Sequence, residues 1–126
     1  MGMIIKEHTV TGTRRNDTVR ALYDTGAGLS CVRRDIAEIL GETHTRPNPV
    51  RFMSFDGQEG ASASQTIDLD IDIEGTILSH TFYVMDDLAE EIIIGADMMQ
   101  TWKISLDMEN ETVSIDPRIL FLNLRI

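Results

Sequence analysis

Basic residues are scarce in this 126-residue chain: 11 Lys and Arg stand against 21 Asp and Glu, for a formal net charge of -10. Phosphate backbones are gripped by clustered Lys and Arg, so nucleic acid is not an expected partner. An anionic membrane surface is disfavoured for the same reason. Cysteine is nearly absent. The single Cys31 excludes an intrachain disulfide framework and a cysteine-built zinc site. No apolar run approaches the ~20 residues of a membrane span, and Met1 to Glu7 lacks the apolar core of a signal peptide. A cytoplasmic or otherwise soluble intracellular protein is expected, any membrane anchor lying outside these residues. What is present is an ordinary globular balance, 42% apolar and 25% charged. The length suits one core and not two, so a single domain over residues 1–126 is expected.

Most of the chain reads as short strands between turns. Met3 to Val10 is apolar and β-branched at first, then alternating. After a polar loop, Thr18 to Tyr23 places Val19, Ala21 and Tyr23 on one face and Leu22 on the other, and ends at Asp24-Thr25-Gly26-Ala27-Gly28. Ser30 to Leu40 has helical spacing, with Gly41 as its stop. Glu42 to Pro49 reads as a loop with two prolines. Val50 to Phe55 and Ala61 to Ser64 flank a glycine-rich hairpin tip at Asp56-Gly57-Gln58-Glu59-Gly60. Thr66 to Ile73 alternates strictly: Ile67, Leu69, Ile71 and Ile73 point one way, Asp68, Asp70 and Asp72 the other. Thr76 to Met85 returns, and Asp86 to Glu91 is an acidic loop. Ile92 to Ile94 reads as a buried strand, Ala96 to Trp102 as a short helix. Ile104 to Met108 and Thr112 to Asp116 form a last hairpin, and Ile119 to Ile126 is an apolar tail. The architecture is mainly β with two short helices.

Asp24-Thr25-Gly26-Ala27 carries the strongest chemical signal. A carboxylate directly after an apolar strand is costly to bury unpaired. Gly26 lets the turn bring backbone N–H groups to it, Thr25 adds a hydroxyl, and Ala27 leaves room for a ligand. Taken alone, the four residues are a weak signal and read more readily as an Asx turn closing a hairpin.

The wider pattern resembles the retropepsin-like aspartic proteases. Its elements are an apolar strand into Asp24-Thr25-Gly26-Ala27, a flap-like hairpin centred on Asp56-Gly57, and Ile93-Ile94-Gly95 before a short helix. The two signatures lie about seventy residues apart, in the family's order. The run Gly95-Ala96-Asp97-Met98-Met99, followed by Ser105-Leu106-Asp107, looks more like cellular and retrotransposon members than viral ones. The resemblance implies an all-β, closed acid-protease barrel with a flap hairpin and one or two short helices. It implies peptide-bond hydrolysis without a cofactor or metal. Because only one Asp-Thr-Gly is present, it implies a homodimer in which two Asp24 carboxylates share a proton. Asp24, Thr25 and Gly26 would form the catalytic turn, Thr25 bonding across the two-fold. An extended peptide or protein substrate would meet Ala27, Gly28, Phe52, Met53, Phe55, Asp56, Gly57, Ile93 and Ile94. Two positions depart from many viral members: Gly28 follows where they carry Asp, and Ala96 where they carry Arg. The tail from Ile119 is either a dimer strand or packed on its own subunit.

Other features read as structural. Asp68, Asp70 and Asp72 line a solvated strand face, not a calcium loop. Asp97, with no Thr-Gly after it, reads as a helix cap. His8, His44 and His80 have no metal spacing and are expected at the surface or in hairpins. Cys31 reads as a small core residue, and Trp102 as a core anchor. Two other functional readings remain: a retropepsin-fold dimerisation or peptide-binding module without catalysis, and a monomeric structural domain with Asp24 in a turn.

Overall fold

A computed structural model describes residues 3–53 and 59–122. Strands β1 (Met3–Thr11) and β2 (Asn16–Asp24) form an antiparallel hairpin, in register from Met3 opposite Asp24 to Thr11 opposite Asn16. β3 (Cys31–Arg33) runs directly into α1 (Arg34–Leu40). β4 (His44–Met53), β5 (Glu59–Ile73) and β6 (Thr76–Met85) form an antiparallel meander. β7 (Ile92–Ile94) leads into α2 (Ala96–Thr101). β8 (Ser105–Asp107) and β9 (Thr112–Ser114) pair in a separate small sheet, and one turn of helix, α3 (Ile119–Leu122), follows.

The large sheet is ordered β1-β2-β7-β3-β6-β5-β4. A second pairing, of β1 residues Thr9 to Thr11 with β5 residues Asp72 to Asp70, closes its first six strands into a barrel. Closure removes the free edges that those strands would otherwise expose. Alternation fills the interior. Val19, Ala21 and Tyr23 of β2, all four isoleucine and leucine positions from Ile67 to Ile73 on β5, and Leu78, Phe82 and Val84 of β6 are buried. Each large aliphatic side chain buried in this way contributes about 1.5–3 kcal/mol. The opposite face of β5 is solvated. Asp68 and Asp70 there accept hydrogen bonds from Thr81 and Ser79 of β6.

Three local expectations change. Cys31 to Arg33 is strand, not the first turn of a helix, because both of its edges are taken: β7 pairs on one side and β6 on the other. Tertiary pairing overrides the helical spacing there. β4 begins at His44, within the stretch read as a loop. Its prolines, Pro47 and Pro49, fall in the register shift between Thr45 and Val50 of this edge strand, where no ladder donor is needed. The apolar tail begins as a helical turn, and Ile119 is buried in the chain's own core.

The β1–β2 turn also finishes α1. The Arg14 and Arg15 N–H groups donate to the Leu40 carbonyl, and the Arg14 guanidinium to that of Glu38. These take up helix carbonyls that lack partners within α1. A Cβ at Gly12 would collide with the Leu40 carbonyl, so only glycine permits this approach.

One polar pair lies inside the barrel. His8, 7% exposed, and the fully buried Tyr23 share a 2.5 Å hydrogen bond, their rings edge to face. Of the two places expected for His8, surface or hairpin, it takes the hairpin, and cross-strand packing against Tyr23 turns its ring inward. Burial lowers its pKa below the ordinary 6.5, reinforced by Lys6 and opposed by the Glu74 and Asp72 carboxylates. Burial, with Glu74, raises that of the Tyr23 phenol. His8 is thus neutral in the fold, and the unfolded chain takes up its proton first. The resulting stability is present above pH 6.5 and is lost as pH falls from there to the lower folded pKa. Urea denaturation across this range should show stability falling by at most about 1.4 kcal/mol per pH unit from this group. His8→Gln keeps a hydrogen-bonding amide for Tyr23 and should remove that slope.

Candidate active site

Asp24 is the last residue of β2, and β2 runs parallel to β7 with Leu22 opposite Ile93 and Tyr23 opposite Ile94. The two strands end side by side, so the turns that follow them meet. In the first turn the Ala27 N–H donates to the Asp24 carbonyl at 3.1 Å, and the Gly26 N–H to Asp24 Oδ1 at 2.9 Å. The partly buried carboxylate is therefore oriented by its own turn. In the second turn, the first N–H groups of α2 reach back: Ala96 donates to the Ala27 carbonyl at 2.7 Å and Asp97 to that of Gly28 at 3.2 Å. Helix-start donors are satisfied by the loop that carries the carboxylate.

Gly95 makes this contact possible. A Cβ there would lie 2.7 Å from the Ala27 carbonyl oxygen and 2.8 Å from that of Leu29. Both are backbone atoms, so neither can swing aside.

Ser30, Asp97 and His80 lie beneath the loop. Ser30 is fully buried. Its hydroxyl donates to Asp97 Oδ1 at 2.6 Å and accepts the Gly95 N–H at 2.9 Å, while its N–H donates to Asp97 Oδ2 at 3.2 Å. The Met98 N–H adds a bond to Oδ1 at 2.7 Å, and His80 Nε2 lies 3.0 Å from Oδ2. Asp97, expected to cap α2, instead sits inside its first turn and binds the opposite loop. Desolvation pushes the Asp97 pKa up, but the hydrogen bonds from His80, Ser30 and Met98 outweigh it and hold it at about 2.

Beside the Asp24 turn, a cleft of about 280 Å³ is lined by Gly26, Ala27, Gly28, Leu29, Cys31, Phe52, Met53, Met85, Leu88 and Ile93. It gathers residues of the turn, of β4 and of β7 that are far apart in sequence. Ile94, expected to line it with Ile93, does not: its side chain is fully buried in the barrel core. Neighbouring strand residues face opposite sides, so only one of the two can face the cleft. Phe55, Asp56 and Gly57 lie outside the described residues. Cys31 lines the cleft as a buried thiol whose pKa burial and Asp97 raise to about 12, which leaves it protonated and unreactive. Among the described residues no group of three or more His, Cys, Asp or Glu is placed to hold a metal ion, and no helix is long and apolar enough to cross a membrane.

The sequence pattern of the Ty3 transposon peptidase family matches residues 5–118. The chain belongs to that family. Among solved structures, the retroviral protease-like domain of Ddi1 from Leishmania major is similar, with a TM-score of 0.67 and 23% identity over 92% of this chain and 90% of that one. The EIAV protease, solved with the inhibitor HBY-793, gives a TM-score of 0.51 and 19% identity over 82% of this chain and 92% of that one. These likenesses concern the fold. The fold of this family member is thus retropepsin-like, as the paired Asp-Thr-Gly and Ile-Ile-Gly signatures implied.

Sequence reasoning did not find the Ser30–Asp97–His80 cluster as a unit. The sole signal was an Asp just after the second signature, and its partners lie 67 and 17 positions away. Gly95→Ala should force the Ala27–Leu29 loop away from α2, costing about 1–3 kcal/mol in chemical denaturation. Circular dichroism should show the barrel retained.

Proposed function

We propose that the chain is a homodimeric aspartic endopeptidase, one domain of residues 1–126 from each subunit. The observation that carries this reading is the placement of Asp24. Its carboxylate is oriented by the Gly26 N–H at 2.9 Å, beside a cleft lined largely by apolar side chains. The sequence carries one Asp-Thr-Gly, and in this reading the second carboxylate comes from a second copy.

Two Asp24 groups facing across a two-fold share one proton, since close carboxylates cannot both ionise freely. The ionised one takes a proton from a water, whose oxygen adds to the scissile carbonyl carbon. The protonated one polarises the carbonyl oxygen. The C–N bond then breaks as the leaving nitrogen takes up a proton. The pair titrates as a unit, so its pKa values belong to neither Asp24 alone. Supporting a dimer, Thr25 lines a second groove, of about 410 Å³, with Ala96, Met99, Gln100, Ile104 and Leu106. This surface adjoins Asp24, where the partner and its Thr25 would dock.

The substrate is an extended peptide segment, added as a strand between the cleft floor and the β4–β5 hairpin. Ala27, Gly28, Phe52, Met53 and Ile93 contact it from this side. Apolar side chains are therefore favoured next to the scissile bond.

The test is cleavage of a diverse peptide mixture from acidic to neutral pH. Asp24→Asn should lower kcat/KM at least about a thousandfold, with sedimentation still showing a dimer. Equal cleavage by both chains would overturn the mechanism. No cleavage by either, at concentrations where the dimer is present, would reassign the protein as a peptide-binding dimer without catalysis.

A further inference from the structure

Asp97 is not among the residues that line the cleft, yet four donors converge on its carboxylate. Ser30 supplies its hydroxyl and its N–H, Met98 its N–H, and His80 its Nε2. A carboxylate can only accept, so the Nε2 facing it carries a proton. These donors come from the loop after Asp24, from α2 and from β6. Ser30 then passes the connection on by accepting the Gly95 N–H.

Among the described residues, Asp97 forms its ion pair with His80 and with no Lys or Arg; the His80 side chain is 14% exposed and that of Asp97 22%. His80 is itself held. Its ring packs edge to face on Phe82, and the neighbouring Ser79 carbonyl accepts the Trp102 indole N–H at 3.1 Å. β6 is thereby tied to Asp97 near the start of α2 and to Trp102 just past its end.

We propose that Asp97, braced by His80, is a positioning residue for the reaction, clamping residues 27–30 onto the Gly95 turn and so fixing where Asp24 points. This rests on the protease reading above. Asp97 and His80 meet neither substrate nor reacting atoms; they act through Ser30 and the loop. Ala27 and Gly28, which contact substrate in that reading, are held to the α2 start by their own carbonyls, bonds that do not involve His80. The low pKa of Asp97 keeps the carboxylate an acceptor through mildly acidic pH, where a carboxylate pair sharing a proton is active. Small displacements of a reacting group are costly, since an ångström of misplacement can lower a rate about a hundredfold.

The decisive variants are His80→Ala and His80→Gln, because His80 bonds Asp97 from β6, outside the loop that follows Asp24, and its loss leaves Ser30 paired with Asp97. Removing the brace should lower kcat about 10- to 100-fold with KM within about twofold, since substrate contacts remain while alignment is lost. His80→Gln returns an amide donor to Asp97 and should restore most of kcat. Asp97→Asn, which turns one acceptor into a donor facing donors, should lose kcat like His80→Ala. Sedimentation should show the dimer unchanged in each. Unchanged kcat in His80→Ala would overturn the proposal, as would a loss that His80→Gln fails to restore. Amide hydrogen exchange gives a readout independent of activity: Ser30 and Gly95 should exchange faster in His80→Ala while Ile71 and Phe82 do not. If the unsubstituted chain cleaves no peptide, the protease reading fails by itself. Exchange then decides the clamp alone, and unchanged exchange at Ser30 and Gly95 would overturn it.

Discussion

The parallel pairing of β2 with β7 is the constraint on which the rest of the site depends. Two three-residue stretches of bulky apolar side chains, Ala21 to Tyr23 and Ile92 to Ile94, lie side by side in the barrel wall. Burial of their inward faces locks the register, because a slip of one residue would turn Tyr23, Ile92 and Ile94 out to solvent. With that register set, the chain leaves both strands at one level. The Asp24 turn then meets the Gly95 turn at hydrogen-bonding distance.

From that meeting the polar architecture follows. Helix α2 has few turns, and its first N–H groups need partners. The carbonyls of Ala27 and Gly28 supply them, and Asp97 takes the buried Ser30 groups in return. No buried side-chain nitrogen or oxygen among the described residues is left without a partner. Satisfied polar networks of this kind rigidify what they join. The cleft beside them is apolar because it is built from outward-facing positions of the same strands, Ile93 chief among them, together with Phe52 and Met53 from β4.

The barrel also distributes its pH sensitivity. Asp97 titrates well below neutrality and keeps the loop clamped in mild acid. His8 and Tyr23 pair elsewhere in the barrel, and there burial favours the neutral imidazole. The same β2 strand carries Tyr23 inward and Asp24 to the site. Mild acid therefore works against the barrel interior while it leaves the Asp97 carboxylate ionised. The two effects are separable by substitution, because they arise on different residues.

Much of this was determined by local sequence. Strict alternation over Thr66 to Ile73 dictates a half-buried strand, since a period of two permits nothing else. Asp24-Thr25-Gly26-Ala27 dictates a turn that brings the Gly26 N–H to its carboxylate. The tertiary structure decided what local patterns leave degenerate. Cys31 to Arg33 could follow helix or strand, and two neighbouring strands decided for strand. Ile93 and Ile94 are chemically identical, and only strand orientation decided which of them faces the cleft. His8, Ser30, His80 and Asp97 carry groups whose burial cost depends on a partner, and each has a partner 15 to 67 positions away. Whether such a group is a cap, a surface residue or a clamp is set by which strands close the barrel, and no stretch of local sequence encodes that.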